Sequence, residues 1–358
     1  MRLRGLDVHI VASPDPRLDA FGRDEDAVVH PIEIKRVIDP LADALALASV
    51  TKLLRRLAPD VVHSSFPKAG LVGTISAAAA HVDARIYHMR GLRYETMGGM
   101  GRRVLWLTER AACSAARRVL SNSHSCAEQA IADGVCPREK IIVIGNGSSN
   151  GVDARGRFDP EAAPGARGRI RQELGIPSDA LVYGFVGRVV RTKGVGELVQ
   201  AWRTLRENPS AWLMVVGPLD HVDPISDELR HEIEADERAV LTGGVADTCD
   251  YYAAMDVLAL PSYREGFPNT VLEAAAMGKP VVATDVTGCR DSVVDGVTGA
   301  LVPVRSVEPL AAALSRYGED ESLRAAQGAA ARKRVLEEFE PERIWQGYLN
   351  LYRELIER

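Results

Sequence analysis

The sequence YREGFPNTVLEAAAMGKP, residues 263–280, connects a predicted strand to a predicted helix. The strand is the apolar run at residues 256–260, and the helix begins near Pro268, because proline is tolerated in the first helical turn, where its missing N–H has no partner to lose. On both sides of this unit, short β-branched runs alternate with longer helical stretches. That alternation is typical of parallel sheets with helical crossovers, so the chain is predicted to be α/β.

The predicted strands form two series. The first series comprises residues 7–12, 28–34, 60–64, 85–89, 118–121 and 140–145, and the second comprises residues 182–187, 212–217, 239–242, 256–260, 281–284 and 300–302. A Gly-, Arg- and Pro-rich stretch at residues 147–168 without periodicity separates them. A chain of 358 residues is expected to form two cores. The predicted units are doubly wound domains at residues 1–152 and 153–340, followed by a helix at residues 341–358 that can pack back on the first domain.

The start of the chain departs from the pattern of a doubly wound domain. Such a domain begins with a strand, a glycine-containing turn and a helix, whereas residues 1–4 here resemble the end of a helix that leads into the strand at residues 7–12. One strand-turn-helix unit is therefore expected to be absent. Because the first strand is usually central, its loss would leave the next strands without backbone partners. A misassigned start, a truncated chain or a degenerate protein would each produce this pattern.

The composition disfavours several classes of protein. A net charge of -5 gives no general attraction to nucleic acid. Five cysteines without a C-x-x-C pair argue against a disulfide framework or a zinc site and favour a reducing compartment, the cytoplasm. No run approaches the roughly 18 apolar residues of a membrane span, and the N-terminus has no apolar stretch of the signal-peptide type. Any contact with a membrane is therefore expected to be peripheral.

The start of the helix within residues 263–280 is a predicted anion site. The N–H groups of Asn269, Thr270 and Val271 have no partner inside the helix, so a diphosphate would fit there. Two carboxylates, Glu265 and Glu273, bracket this position and are suited to accept hydrogen bonds from sugar hydroxyls. Solvated surface acids are the alternative interpretation.

A basic loop follows the strand at residues 182–187. It contains Arg188, Arg191 and Lys193 after Gly187. Arginine offers a bidentate fork and lysine a mobile point charge, a combination suited to a diphosphate. A basic loop in solvent is the alternative. Because the carboxyl ends of parallel strands face one crevice, this loop and the anion site are expected to converge.

Together, these motifs resemble glycosyltransferase family 4. The matching residues are Gly187-Arg188, Lys193-Gly194, Gly217, Gly243-Gly244-Val245, and Glu265 and Glu273 in E-x7-E spacing. They occur in the order and spacing of the family across the whole second domain. Family members have the GT-B fold, two Rossmann-like domains facing a cleft, and they transfer sugars from nucleotide-diphosphate sugars with retention of anomeric configuration.

The resemblance implies a role for each donor-side residue. Arg188 and Lys193 would clamp the diphosphate, and Glu273 would bind the ribose hydroxyls. Glu265, with the backbone of Gly266 and Phe267, would meet the transferred sugar, and the backbone around Val245 would contact the base, with UDP as the expected nucleotide. The expected chemistry is a front-face displacement in which the leaving phosphate takes the acceptor proton, so Arg188, Lys193 and Glu265 are the predicted catalytic residues and no protein nucleophile is assigned.

The acceptor side is expected in the first domain. Lys68 follows a predicted strand, and His88, Arg90 and Arg93 lie in and after the strand at residues 85–89. These segments resemble the subset of the family that extends lipid-linked glycans for bacterial capsule or exopolysaccharide. Because alternate residues of a strand face the same side, His88 and Arg90 are predicted to share the cleft. Ordinary strand histidines and surface charges are the alternative.

A predicted helix at residues 102–118 has apolar residues between basic ends and can rest on an anionic membrane near a polyprenyl-linked acceptor. A helix that faces the core is the alternative for this segment.

No cofactor or metal is expected besides the nucleotide sugar. Asp24-Glu25-Asp26 matches D-x-D but lies in a polar loop rather than at a strand end. Basic residues and helix amides can stabilise the phosphate charge instead.

Three rival functions stay open. They are a GT-B epimerase acting on nucleotide sugars, a nicotinamide-dependent oxidoreductase, for which no G-x-G-x-x-G follows a strand, and a silent nucleotide-sugar-binding remnant.

Overall fold

The computed structural model describes residues 5–35, 39–220 and 222–357. Its strands are β1 (His9–Ala12), β2 (Val28–Pro31), β3 (Val61–Ser65), β4 (Ala84–Met89), β5 (Arg118–Ser121), β6 (Ile141–Val143), β7 (Leu181–Val186), β8 (Ala211–Val216), β9 (Ala239–Leu241), β10 (Val257–Leu260), β11 (Val281–Thr284) and β12 (Gly299–Val302). Its helices are α1 (Leu18–Asp24), α2 (Pro40–Leu57), α3 (Pro67–Ala79), α4 (Gly99–Ala115), α5 (His124–Ala132), α6 (Ala166–Glu173), α7 (Val195–Leu205), α8 (Asp227–Ala235), α9 (Cys249–Ala254), α10 (Asn269–Ala276), α11 (Cys289–Ser292), α12 (Val307–Glu319), α13 (Glu321–Glu338) and α14 (Pro341–Ile356).

The second half of the chain forms one parallel sheet of six strands in the order β12-β11-β10-β7-β8-β9. Every residue of β7, β10 and β11 is buried, as expected for strands covered by helices on both faces. After β7 the chain continues to β8 and β9 on one side and then returns to β10 on the other. The carboxyl ends of β7 and β10 therefore flank a topological switch point, where open α/β sheets bind ligands.

The first half of the chain contains two separate parallel sheets, a pair β1-β2 and a four-stranded sheet β3-β4-β5-β6. Among the described residues, no ladder joins them. Side chains of both sheets, including Val11 and Val62, instead pack into one apolar cluster with α2 and α3. The two sheets of the first half are therefore joined through this cluster. The predicted helix tail at residues 1–4 lies outside the described residues.

The final helix, α14, packs on the face of the four-stranded sheet. Its residues Ile344 and Leu351 join Ile86 of β4 and Leu120 of β5 in one buried cluster. Pro341 begins this helix after α13 ends at Glu338. The chain therefore crosses from the second half back to the first.

Several predicted boundaries were wrong for identifiable reasons. Strand β2 ends at Pro31 rather than at residue 34, because its partner β1 ends at Ala12, whose carbonyl oxygen accepts the last ladder bond from the N–H of Ile32. Helix α4 covers Gly99–Ala115 rather than residues 102–118, since Arg118 begins β5.

All five cysteines are free and buried. In the described ranges, no helix has the length and apolarity needed to cross a membrane.

Candidate active site

Two glycines directly follow strands β7 and β8 of the larger sheet and bring the backbones after these strands into close contact. Gly187 has φ 153° and Gly217 has φ 145°, a region that side chains rarely adopt. A Cβ on Gly217 would lie 1.8 Å from the carbonyl oxygen of Gly187. Only glycine fits at this position, so the backbones after β7 and β8 line the crevice without side chains between them.

Each cation of the basic loop after β7 is paired with a carboxylate. Arg188 lies 2.6 Å from Asp220, and Arg191 lies 3.1 Å from Asp223. Burial would raise the pKa of Asp223, but hydrogen bonds from the hydroxyl and amide of Thr192 hold it below its ordinary value. Both aspartates lie in the loop after β8. The loop after β8 therefore supplies an ion-pair partner to each of the two arginines.

Lys193 forms a close ion pair with Glu265, which lies in the loop after β10. The next residue, Gly194, is the N-cap of α7 and has φ 70°. A Cβ on Gly194 would lie 2.0 Å from the carbonyl oxygen of Pro261, so the basic loop packs directly on the residue that follows β10. The two loops predicted to converge are thus in contact through their side chains and their backbones.

The helix N-terminus in this crevice differs in one detail from the prediction. Pro268 is the N-cap of α10 with extended backbone, not a residue of its first turn. Its carbonyl oxygen accepts a 3.1 Å hydrogen bond from the N–H of Val271, so that amide is not available to an anion. In the part of the chain that the structure describes, Asn269 and Thr270 keep the first free N–H groups of the helix.

The second glutamate of the E-x7-E pair, Glu273, is held by a buried tyrosine. The hydroxyl of Tyr252 on α9 donates a 2.6 Å hydrogen bond to Glu273 Oε2. Burial raises the pKa of Glu273, while the bond from Tyr252 and the nearby Arg157 lower it. Arg157 is also bonded to Asp247 at 2.9 Å, in the segment that follows the partly exposed Val245. One carboxylate oxygen of Glu273 thus remains to accept a hydroxyl.

The crevice is closed on its other side by the first half of the chain. A Cβ on Gly266 would lie 2.0 Å from the carbonyl oxygen of Arg90, and a Cβ on Gly91 would lie 3.2 Å from Gly266 Cα. A Cβ on Gly147 would meet the Phe267 ring at 2.9 Å. The loop containing Glu265 and Gly266 therefore packs backbone to backbone against the residues after β4.

Polar contacts hold the two halves together beside this loop. Asp291 accepts hydrogen bonds from the N–H groups of His124 and Ser125 at 2.9 and 3.2 Å, at the start of α5. The hydroxyl of Thr287 donates a 3.0 Å bond to Glu95, whose pKa is raised by burial. None of these residues was singled out from the sequence, because nothing in a single sequence indicates pairs so far apart.

The structure buries one of the predicted acceptor residues, His88. His88 is 4% exposed, and its Nε2–H donates to Asn122 Oδ1 at 2.5 Å. Its Nδ1 then accepts from His63 Nε2–H at 3.2 Å, and His63 Nδ1 accepts from the hydroxyl of Tyr352 on α14. Burial lowers the pKa of His88 to about 3, so the ring is neutral. The charge of the nearby Arg90 also lowers the pKa of His88, so the two side chains are neighbours, and the prediction that they share the cleft stays a prediction.

The remaining acceptor-side residues lie in different settings. Lys68 on α3 forms a 2.6 Å ion pair with Asp43 on α2. Arg93 is exposed in a short 3-10 turn, Arg93–Thr96. Arg90 adjoins the donor loop, and its Nη2 donates a 2.8 Å hydrogen bond to Ser149.

The D-x-D match lies at the end of α1 and in the turn after it, and no group of three or more His, Cys, Asp or Glu suited to a metal occurs among the described residues. The expectation that no metal is needed stays a prediction.

Comparisons with known proteins agree with this architecture. Residues 1–147 match the family described as Glycosyl transferase 4-like domain, and residues 166–334 match Glycosyl transferases group 1. The chain is 33% identical over 354 residues to the capsular polysaccharide biosynthesis glycosyltransferase CapM of Staphylococcus aureus, with 98% of this chain and 91% of CapM covered.

Two further similarities extend over most of the chain. It is 25% identical to the UDP-Gal:alpha-D-GlcNAc-diphosphoundecaprenol alpha-1,3-galactosyltransferase of Escherichia coli, with 89% and 81% of the two chains covered. The crystal structure of Anabaena HepE in complex with UDP superposes with a TM-score of 0.79 at 23% identity, covering 97% of this chain and 92% of HepE.

Proposed function

Because this chain belongs to glycosyltransferase family 4 and has the GT-B fold, we propose that it transfers a hexose from a UDP-sugar to a glycan or polyprenyl-linked acceptor with retention of anomeric configuration. The observation that best supports a sugar-diphosphate substrate is the meeting of Lys193, Glu265 and the start of α10 at the switch point of the larger sheet. The similarity to CapM supports a process in cell-surface polysaccharide synthesis.

The proposed donor site uses the groups that line this crevice. Arg188 and Lys193 exchange their carboxylate partners for the diphosphate, which also accepts from the amides of Asn269 and Thr270. Glu273 accepts from the ribose hydroxyls. Support for UDP comes from HepE, whose crystal structure contains that nucleotide.

The base is proposed to lie against the backbone near Val245, at the end of the crevice formed by the loop after β9. The transferred sugar is proposed to lie at Glu265 and the backbone of Gly266 and Phe267, where the two halves of the chain meet.

The proposed chemistry needs no protein nucleophile. As the bond from the anomeric carbon to the phosphate oxygen breaks, the leaving diphosphate gains negative charge, which the cations Arg188 and Lys193 stabilise. The departing oxygen takes the proton of the acceptor hydroxyl, and the acceptor oxygen bonds to the same face of the sugar. Glu265 accepts from a sugar hydroxyl and orients the ring. Because two cations and helix amides can stabilise this charge, we propose that the reaction proceeds without a metal.

The proposed acceptor is lipid-linked and presented at a membrane surface. The E. coli relative is named for a diphosphoundecaprenol acceptor. On this chain, Met100 and Leu107 of α4 are exposed next to the exposed cations Arg102 and Arg103, a combination suited to peripheral contact with anionic lipid. We propose a cytoplasmic enzyme that works at the inner face of the membrane.

Calorimetric titration with UDP, GDP, ADP and NAD tests the donor site. We expect saturable binding of UDP, and loss of at least about tenfold in affinity in Lys193→Ala and Glu273→Ala. Arg138→Ala, which removes an exposed ion pair with Glu128 far from the crevice, is the matched control. Normal affinity in either site variant of a folded protein would refute the assignment.

A UDP-release assay with UDP-glucose, UDP-galactose and UDP-N-acetylglucosamine, with and without a chelator, tests turnover. Release that depends on an added glycan or lipid-linked acceptor supports transfer. Release without growth of an acceptor supports the epimerase, and binding without release supports the silent protein. Activity lost with the chelator and restored by a divalent cation would contradict a metal-free reaction.

A further inference from the structure

Phe66 lies at a strained turn between β3 and α3. Its backbone has φ 67° and ψ 153°, a conformation that is essentially restricted to glycine. The turn leads directly into the helix, since the carbonyl oxygen of Phe66 accepts a 2.6 Å hydrogen bond from Gly70. A bulky residue in this conformation indicates that the direction of its side chain is maintained against the preference of the backbone.

The Phe66 side chain is not used to fill the core. It is 57% exposed, although an aromatic ring usually contributes most when buried. The guanidinium carbon of Arg90 lies over the ring, 5.3 Å from its centroid, within the range of a cation–π contact. Arg90 is in turn fixed by its bond to the buried Ser149. The arginine therefore orients the ring while much of the ring surface stays open.

This pair adjoins the donor loop. Phe66 and Arg90 directly follow the neighbouring strands β3 and β4, so both lie at the carboxyl edge of the smaller sheet. The carbonyl of Arg90 is in contact with Gly266, and Glu265 next to it pairs with Lys193. Arg90 thus contacts both the exposed Phe66 ring and the loop proposed to hold the transferred sugar.

We propose that Phe66 is the stacking platform for a pyranose ring of the acceptor, and that Arg90 donates hydrogen bonds to the hydroxyls of that sugar. A pyranose presents a face of C–H groups, which packs on the electron-rich face of an aromatic ring. Arg90 has five N–H donors, of which Ser149 uses one. This inference rests on the proposed function, because it assigns the acceptor side of the same cleft. The donor sugar is the other source of a pyranose ring, and the test separates the two.

The test compares the wild type with Phe66→Gly, which removes the ring and relieves the backbone strain. Phe21→Ala, at a half-exposed phenyl on α1, is the matched control. Saturation-transfer NMR is recorded with the methyl glycosides of glucose, galactose, mannose and N-acetylglucosamine, with and without UDP. Calorimetry measures the affinities for UDP and UDP-glucose, and thermal denaturation measures stability.

We expect saturation transfer to the ring C–H protons of at least one glycoside, weakened about tenfold in affinity in Phe66→Gly and unchanged in Phe21→Ala. The melting temperature of Phe66→Gly is expected to equal or exceed that of the wild type, which separates loss of binding from loss of folding. Equal transfer in Phe66→Gly would overturn the proposal, as would a UDP-binding wild type that binds none of the glycosides.

Two further outcomes distinguish this inference from its premises. Weaker binding of UDP-glucose with unchanged binding of UDP in Phe66→Gly would assign the ring to the donor sugar and overturn the acceptor assignment. A wild type that binds a glycoside through Phe66 but does not bind UDP would refute the proposed function and leave the sugar platform supported.

Discussion

Replacement of Tyr252 by phenylalanine tests how the carboxylate proposed to bind the ribose is held. Tyr252 is fully buried, and its hydroxyl lies 2.6 Å from Glu273 Oε2. The variant keeps the ring and its packing and removes only the donor. Because burial raises the pKa of Glu273 and this bond opposes the rise, the pKa of Glu273 is expected to be higher in the variant.

The expected size of the effect follows from the negative charge of the hydrogen-bond acceptor, the Glu273 carboxylate. A hydrogen bond to a charged group contributes about 1.5–3 kcal/mol. Part of this contribution is lost equally in the free and the nucleotide-bound protein. We therefore expect a loss of about 1.4 kcal/mol in binding, which is about tenfold in UDP affinity at neutral pH. Since the protonated fraction of Glu273 grows as the pH falls, the loss is expected to be larger at about pH 6 than at about pH 8.

Calorimetric titration with UDP at both pH values measures this effect. Tyr251→Phe, at the neighbouring and partly exposed tyrosine of α9, is the matched control and should bind as the wild type does. Glu273→Gln has no titrating carboxylate at this position, so its affinity for UDP should be low and should lack the pH dependence that protonation of Glu273 produces. If Tyr252→Phe binds UDP within about twofold of the wild type at both pH values, the bond does not hold the carboxylate for binding.

Two further predictions concern stability. Gly217→Ala brings a Cβ to 1.8 Å from the carbonyl oxygen of Gly187 and is expected to lower the free energy of unfolding, measured in urea, by more than about 3 kcal/mol. In the control Gly244→Ala, the nearest contact of the new Cβ is 3.5 Å, so the free energy of unfolding should change by less than about 1 kcal/mol. Equal effects of the two substitutions would contradict the packing argument. Burial lowers the pKa values of His63 and His88 to about 4 and about 3, from an ordinary 6.5. Below about pH 6.5 the unfolded chain therefore binds more protons than the folded chain. The free energy of unfolding should fall there by up to about 1.4 kcal/mol per pH unit for each ring. His63→Gln should roughly halve this slope in urea unfolding, and an unchanged slope would show that the ring is not buried in its neutral form.

Much of the fold was predictable because parallel strands covered on both faces are short, apolar and β-branched. Strands β5 and β11 have the predicted bounds, and the other predicted strands are present with small shifts. The spacing of Lys193 and Glu265 after their strands also sufficed to predict that their loops converge, because parallel strands deliver such loops to one edge.

The partners of the site residues were not predictable in the same way. Asp220, Asp223 and Tyr252 contact the site from other loops and helices, and no local pattern in a single sequence reports such pairs. The positive φ of Phe66 was also not indicated, because aromatic residues rarely adopt it and no glycine marks the turn. The burial of His88 was not indicated either, because the Tyr348 ring that packs near it comes from α14, at the far end of the chain.

The position of α14 has a consequence for synthesis of the chain. Chains are made from the N-terminus at roughly 5–20 residues per second, and domains generally fold as they emerge. Here, however, the apolar face formed by Ile86 and Leu120 receives its cover from Ile344 and Leu351, which are translated only after the whole larger sheet. The apolar face of the N-terminal sheet thus remains exposed on the ribosome until translation is nearly complete. Ribosome stalling just before Pro341 is therefore expected to leave a nascent chain that recruits chaperones through its N-terminal sheet.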